Sequence, residues 1–373
     1  MHHLIRALAV VPCLLLLSCD PNTALDRVCD PGATQCISLS KFQSNLDTTL
    51  NNGGVVGYVT VVGGLPDLHK YGYARTGADK PQLAWDSDVP INVMSLAKVF
   101  TTVAVLQVMA KNDIQLTDTI SGYLPSDWSQ GSNINLITFQ DLLTHRSGFN
   151  QNTGGASAYS NLQAQIASGV SSAGYGQPLY DNNNFAIFRV LLPYMDNWKD
   201  PGADTRDAAT TAWYVNYMQE NVFKKVGITD ATTVPTGPHG YWYSLNPTDS
   251  SAGDDGGDWT SLVGGGGWSM SMGSLYKFLL ALQTGNQLLT DDQKATMDST
   301  CLGWDCSVQT QNDYVGKNGS WSSNGRRVWT FFGLFHQRKV MALAIVNSPT
   351  GSPDINITTI MANAFANSWV AKE

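Results

Sequence analysis

The chain has 373 residues, enough for one large domain or two smaller ones, and either could bury a substantial core. Charged residues make up only 14% and the net charge is -8, so the composition offers no basic surface to nucleic acid. With 35 glycines and 11 tryptophans it suits a weakly charged, loop-rich globular enzyme.

The first residues, Met1 to Arg6, precede an apolar run over 7–17 that contains Pro12 and is too short to span a bilayer. Residues 1–18 therefore read as an export signal. Its end, Leu16-Leu17-Ser18-Cys19, resembles a bacterial lipoprotein signal, in which Cys19 becomes the lipidated first residue. The expected location is the bacterial cell envelope, with the protein held to the membrane by a lipid anchor and facing the periplasm or exterior. With Cys13 and Cys19 set aside, Cys29, Cys36, Cys301 and Cys306 remain. The simplest of their three connectivities joins Cys29 to Cys36 and Cys301 to Cys306. Neither pair has the short spacing and nearby His of a zinc site, so no metal and no cofactor is expected.

Residues 19–38, rich in Pro, Asp, Asn and Gly, read as a tether, and the folded body is expected over 39–373. A helix over 40–50 precedes a hairpin of strands 55–62 and 68–74, turning at Gly63-Gly64-Leu65-Pro66. Residues 95–111 form a helix apolar on most sides. From 113 to about 261 the pattern changes to short helical segments, such as 138–144, 183–194 and 208–224, with polar loops and no evident strand set. A helix over 275–282, strands over 328–335 and 340–346, and a final helix over 357–370 complete the chain. Strands at both ends with helices between them predict an α/β (α+β) fold: one sheet built from both termini, flanked by helices, with a mainly helical lobe inserted. The α/β lobe is expected over about 39–112 and 262–373, and the helical lobe over about 113–261.

The pattern Ser-x-x-Lys sets a lysine one turn after a serine on the same helical face, where an ammonium and the helix N-terminus both ease formation of an alkoxide. It occurs at Ser38/Lys41, Ser95/Lys98 and Ser274/Lys277. Ser38 and Ser274 are explained by a helix cap or a surface helix. Only Ser95 opens a helix so apolar that Lys98 is buried and needs a partner. A base could come from Tyr159-Ser160-Asn161 or Tyr180-Asp181-Asn182. Tyr180 is the better candidate, because the apolar run 185–188 holds it against a core, whereas Tyr159 reads as loop decoration. A phenol needs cationic neighbours to act as a base near neutrality. Lys317-Asn318-Gly319-Ser320 supplies a second lysine on an edge strand. Gly319 permits close approach, and the N–H groups of Ser320 and Ser95 could form an oxyanion hole.

In this order, Ser95-Leu96-Ala97-Lys98, Tyr180-Asp181-Asn182 and Lys317-Asn318-Gly319-Ser320 resemble the serine β-lactamase and D,D-peptidase superfamily, in its class C β-lactamase-related branch that includes esterases. The segments 113–118, 137–149 and 266–278 also resemble that branch, and the likeness covers most of residues 50–365. The resemblance implies a β-lactamase/transpeptidase-like fold with Ser95 as acylated nucleophile, Lys98 as its proton partner and Tyr180 as proton shuttle to the leaving group. It further implies that Asn182 holds a substrate amide and that Lys317 orients a carboxylate. The usual Lys-Thr-Gly is here Lys-Asn-Gly, which weakens the expectation of β-lactam binding at Asn318. The expected partner is a small-molecule or peptide substrate, with Lys317 tilting the expectation toward one that bears a carboxylate, and the expected function a hydrolase of amides, lactams or esters. The alternative is a slowly deacylating penicillin-binding or sensor lipoprotein. There is no Gly-x-Ser-x-Gly elbow or His-Glu-x-x-His motif. His145 is expected to cap a turn or pack, the acids Asp254, Asp255 and Asp258 to form a solvated loop, and Tyr241-Trp242-Tyr243 to pack beneath the cleft.

Overall fold

Apolar runs from the two ends of the chain meet in one antiparallel sheet. The computed structural model describes residues 26–64, 68–150, 157–245, 252–305 and 314–372. The export signal, Cys19, Cys306 and the end of the first hairpin turn lie outside these residues. In chain order, β1 (Arg27–Cys29) and β2 (Gln35–Ser38) lead into α1 (Leu39–Asn52), followed by β3 (Gly57–Val62), β4 (Leu68–Arg75), β5 (Leu83–Ala84) and β6 (Ile91–Asn92). Helix α2 (Ala97–Asn112) opens the inserted region. That region carries α3 (Phe139–Leu143), α4 (Tyr159–Ser168), α5 (Asn183–Ala186), α6 (Phe188–Met195) and α7 (Ala203–Tyr217). After β7 (Tyr243–Ser244) and β8 (Ser269–Met270) come α8 (Met272–Thr284) and α9 (Asp291–Ser299). The chain then returns to the sheet with β9 (Tyr314–Ser323), β10 (Arg326–Phe335) and β11 (Val340–Val346), and closes with α10 (Ile357–Ala366) and β12 (Trp369–Ala371).

The large sheet runs β5-β4-β3-β11-β10, and β10 carries β9 along its whole length and the short β7 at its start. Both faces are covered, which is why its inner strands are apolar without alternation. Val59, Val61, Phe332, Leu334, Leu343 and Ile345 share a core with α2 and α8. Their strand neighbours Tyr58, Val62, Phe331, Phe335, Ala342 and Ala344 share a second core with α1 and α10. Helix α1 presents Phe42, Leu46 and Leu50, four residues apart, to that second core, and Ser38 caps it by accepting the Lys41 N–H. Helix α2 is buried on nearly all sides, so its apolar length belongs to the interior.

Three expectations differ from the structure. Residues 26–38, read as the end of a tether, form the β1–β2 hairpin. Its Cys29–Cys36 disulfide joins residues directly opposite one another, and β12 adds a third strand. Cys36 and Ile37 are fully buried there, so the polar composition of the segment belongs to its turn and not to its strands. The final helix stops at Ala366, where Asn367 and Ser368 turn the chain and Ser368 Oγ donates to the Phe365 carbonyl, and Val370 lies in β12. The stretch 113–261 is mainly helical as expected, but where the sequence shows no evident strand Tyr243 and Ser244 pair with Arg327 and Arg326 of β10. Trp242 and Tyr243 are buried, as expected of packing residues.

If the hairpin is part of the folded body, Ile37→Ala should cost about 2–4 kcal/mol in urea unfolding, the usual penalty for emptying a buried aliphatic site. A tether would give no measurable change.

Candidate active site

The site is built where the start of α2, the loop before α5 and strand β9 converge. A single turn of 3-10 helix, Met94–Leu96, precedes α2. Met94 has φ 53, an uncommon conformation for a residue with a side chain, and its N–H is held by Asn92 Oδ1 at 2.9 Å. This turn presents Ser95 at the helix entrance. Lys98, one turn on, has no exposed surface. Its ammonium donates to Ser95 Oγ at 3.1 Å, Asn182 Oδ1 at 2.8 Å and the Gly265 carbonyl at 2.7 Å, so all three donors are used. Burial pushes its pKa down and Lys317 pushes it further, against the opposing pull of Tyr180 and Asp305.

Tyr180 Oη lies 2.8 Å from Ser95 Oγ. Two lysines flank its ring, Lys98 Nζ at 5.0 Å and Lys317 Nζ at 5.1 Å from the centroid. Burial alone would raise the phenol pKa, but these two cations outweigh it and hold the value below that of an ordinary tyrosine. His145 stacks on the same ring with centroids 4.4 Å apart and packs on Phe185. Burial first, then Lys98 and Lys317, lower His145 to about 2, so its imidazole is neutral and accepts the Asp181 N–H at 3.3 Å. As expected it packs, and what it packs against is the Tyr180 ring. The rest of this segment is also tied down: Asp181 Oδ1 caps Asn183, and Asn184 Oδ1 accepts from Ser147 at 2.5 Å.

Strand β9 passes close to Ser95. A Cβ on Gly319 would lie 2.8 Å from Ser95 N and 2.5 Å from both Val93 O and Thr330 Oγ1, so only glycine fits. Thr330, opposite Gly319 on β10, donates to Val93 O at 2.8 Å and fixes the strand against the Ser95 turn. Lys317, two residues earlier on β9, is only 2% exposed and forms an ion pair with Asp305. Burial works against its charge, but Asp305 and Tyr180 together outweigh it and raise its pKa. Asp305 Oδ2 also accepts the Asn318 N–H at 3.0 Å. The Asn318 side-chain amide donates to Thr358 Oγ1 at 2.8 Å, linking β9 to α10.

Two cavities meet at Ser95, Asn182 and Ser320. The larger, about 380 Å³, is polar and includes Tyr180, Asp305, Lys317 and Thr358. The smaller, about 200 Å³, has Trp259, Leu262 and Trp321 in its wall, and those two indoles meet edge to face at 5.3 Å.

The structure thus brings together Ser95, Lys98, Tyr180, Asn182, Lys317, Asn318, Gly319 and Ser320. It leaves the other two Ser-x-x-Lys pairs outside. Ser38 caps α1, while Lys41 reaches the Trp369 carbonyl at 3.3 Å. Ser274 bonds to Asp230, and exposed Lys277 donates to the Gly227 carbonyl at 2.9 Å. Tyr159 differs from expectation: it begins α4 and packs edge to face on Trp128 at 5.2 Å, so it is a structural residue and not loop decoration. Asp305 and the Gly265 carbonyl were not anticipated. The signal for Asp305 is an acid in a tight Cys301-Leu302-Gly303-Trp304 segment shortly before the lysine strand. A Cβ on Gly303 would lie 2.3 Å from Thr102 Oγ1 of α2, which shows how closely this segment is packed. Cys301 is disulfide-bonded, and its expected partner Cys306 lies outside the described residues. Among the described residues no group of His, Cys, Asp and Glu could hold a metal ion.

A model of the family described as Beta-lactamase matches residues 42–354. No curated protein matches the chain. Among solved structures, the fold is similar to a class C beta lactamase from Rhodobacter sphaeroides, at TM-score 0.64 and 15% identity over 87% of this chain and 97% of that one. It is also similar to FmtA from Staphylococcus aureus, at TM-score 0.65 and 15% identity over 90% and 91% of the two chains. A third similar structure is a D-amino acid amidase from Ochrobactrum anthropi, at TM-score 0.63 and 14% identity over 88% and 98%. At such identities the likeness is one of fold.

Gly319→Ala should push β9 away from Ser95. The expected result is loss of Ser95 labelling by a fluorophosphonate, read by intact mass, with a stability loss of only about 1–3 kcal/mol in urea.

Proposed function

Because the chain belongs to the beta-lactamase family, whose fold houses serine hydrolases, we propose that it is an acyl-enzyme hydrolase in which Ser95 attacks an amide, lactam or ester carbonyl. The observation that carries this reading is the placement of one hydroxyl, Ser95 Oγ, within hydrogen-bond reach of both Lys98 Nζ and Tyr180 Oη.

In acylation the Ser95 Oγ–carbonyl carbon bond forms as the Oγ proton passes to the deprotonated member of the Tyr180–Lys98 pair. The proton lost from that pair is shared, so the two groups titrate as a unit. Developing charge on the carbonyl oxygen would be met by the N–H groups of Ser95 and Ser320. Collapse breaks the bond to the leaving amine or alcohol, which takes its proton from Tyr180 Oη. Water then attacks the acyl carbon as its proton passes to the pair, and collapse breaks the carbon–Oγ bond while the pair returns that proton to Ser95 Oγ. Asn182, whose Oδ1 accepts from Lys98, keeps its Nδ2 to donate to a substrate carbonyl.

The cleft supports an orientation. Tyr180, the proton donor to the leaving group, belongs to the polar cavity and not to the indole-walled one. The acyl group therefore goes to the side of Trp259, Leu262 and Trp321, and the leaving group to the side of Lys317 and Thr358. We further propose that the enzyme is exported and lipid-anchored through Cys19. The Leu16-Leu17-Ser18-Cys19 sequence and the Cys29–Cys36 disulfide, which suits an oxidising compartment, both support this.

Incubation with an aryl ester followed by acid quench should leave one acyl group on Ser95, located by peptide mass mapping. Ser95→Ala should abolish it and lower turnover by at least about a thousandfold. Acylation at another residue would overturn the assignment.

The pH profile provides a second test. The base must be deprotonated, so kcat/KM rises with pH through the pair's apparent pKa, which lies below that of a free phenol. Lys317 holds down both Tyr180 and Lys98. In Lys317→Gln both values rise, and the ascending limb should move to higher pH; an unmoved limb would show that Lys317 does not act on the pair.

A further inference from the structure

Lys317 is the cation that a carboxylate-bearing substrate would need, and in this chain its charge already has a partner. Its side chain is 2% exposed and ion-paired with Asp305, whose second oxygen is taken by the Asn318 N–H. Asp305 itself lines the polar cavity. The remaining described lining on that side is uncharged: Asn318, Asn356, Thr358 and Thr359. Lys98 lies beneath the floor with all three donors committed. Helix α10 adds little attraction for an anion, because Asn356 Oδ1 accepts the Thr358 N–H at 2.8 Å and the Asn356 carbonyl accepts the Thr359 N–H at 2.9 Å. The segment 306–313 contains no Lys or Arg.

An anion entering this half of the cleft would meet a carboxylate in contact with the one ammonium it could seek. An anion pairing with Lys317 would share the ammonium with Asp305, so two carboxylates would stand side by side in a partly buried site and their repulsion would offset the attraction. An uncharged group meets hydroxyls and amides that can donate or accept without such repulsion. We propose that Asp305 is a specificity-determining residue that closes the leaving-group half of the cleft to carboxylates, so that the enzyme takes amides or esters with an uncharged leaving group. The inference rests on the acyl-enzyme reading and on the assignment of the polar cavity to the leaving group.

The test uses two esters of one N-acylglycine, a phenyl ester and a 3-carboxyphenyl ester, which differ by one carboxylate on the leaving group. The full-length wild-type protein should favour the phenyl ester by about tenfold or more in kcat/KM. Asp305→Asn, and independently Asp305→Ser, should shift that ratio at least about tenfold toward the carboxylate ester. The ratio is internal to each variant, so a lower overall rate or partial unfolding does not affect it. The inference fails alone if wild type hydrolyses the carboxylate ester as fast or faster, or if the ratio is unchanged in the variants. If neither ester acylates Ser95, the hydrolase reading fails and takes this inference with it.

Discussion

The buried ammonium of Lys98 is the constraint on which the site depends. Moving such a charge out of water costs several kcal/mol, and the interior must return that in directed acceptors. It does so from three separate parts of the chain: Ser95 on the same helix, Asn182 at the start of α5 and the Gly265 carbonyl before β8. Each acceptor fixes one segment. Gly264 makes the third possible, because with φ +98 and a would-be Cβ 2.5 Å from the Phe185 carbonyl it must be glycine to bring the next carbonyl to the lysine. The apolar helix that buries Lys98 is therefore also what orders the inserted lobe against the sheet.

The second lysine works at a distance. Lys317 makes no hydrogen bond to Ser95, yet from strand β9 it lies about as far from the Tyr180 ring as Lys98 does from α2. One phenol between two ammoniums is a means of stabilising a phenolate at the wall of the cleft, where Tyr180 is half exposed. His145 contributes by remaining neutral. An imidazolium stacked on that ring would add a third positive charge, which burial and the two lysines prevent.

What the sequence reveals and conceals follows from range. Ser95 and Lys98 are legible because their spacing and the apolar run after them are local, and the order of the Tyr180 and Lys317 motifs adds a one-dimensional check. The sheet is legible at its strands, since β3, β10 and β11 are buried on both faces and read as continuous apolar runs. The β1–β2 hairpin is not, because the six residues between its cysteines, opening with Asp30-Pro31-Gly32, have the composition of a linker. Its burial depends on β12, more than 300 residues away. Tyr159 is misread for the same reason: its partner Trp128 is remote in sequence. Asp305 hides best, since one acid beside a tryptophan carries no periodic or motif signal until β9 folds against it.

Asp305 also ties the site's selectivity to its chemistry. A free Lys317 ammonium would lower the Tyr180 phenol and attract an anionic substrate, and binding that substrate would then cancel part of the field on the phenol. With Asp305 in place the compensation is permanent. Asp305 pulls the Lys98 pKa upward and holds Lys317 charged, so the field at Tyr180 is set by the protein before any substrate arrives. On the proposed mechanism a neutral leaving group leaves that field unchanged, whereas an anionic one would disturb it at the step in which Tyr180 gives up its proton. Under the proposed roles of Asp305 and Tyr180, charge selection in the polar half of the cleft and constancy of the base are two consequences of one ion pair.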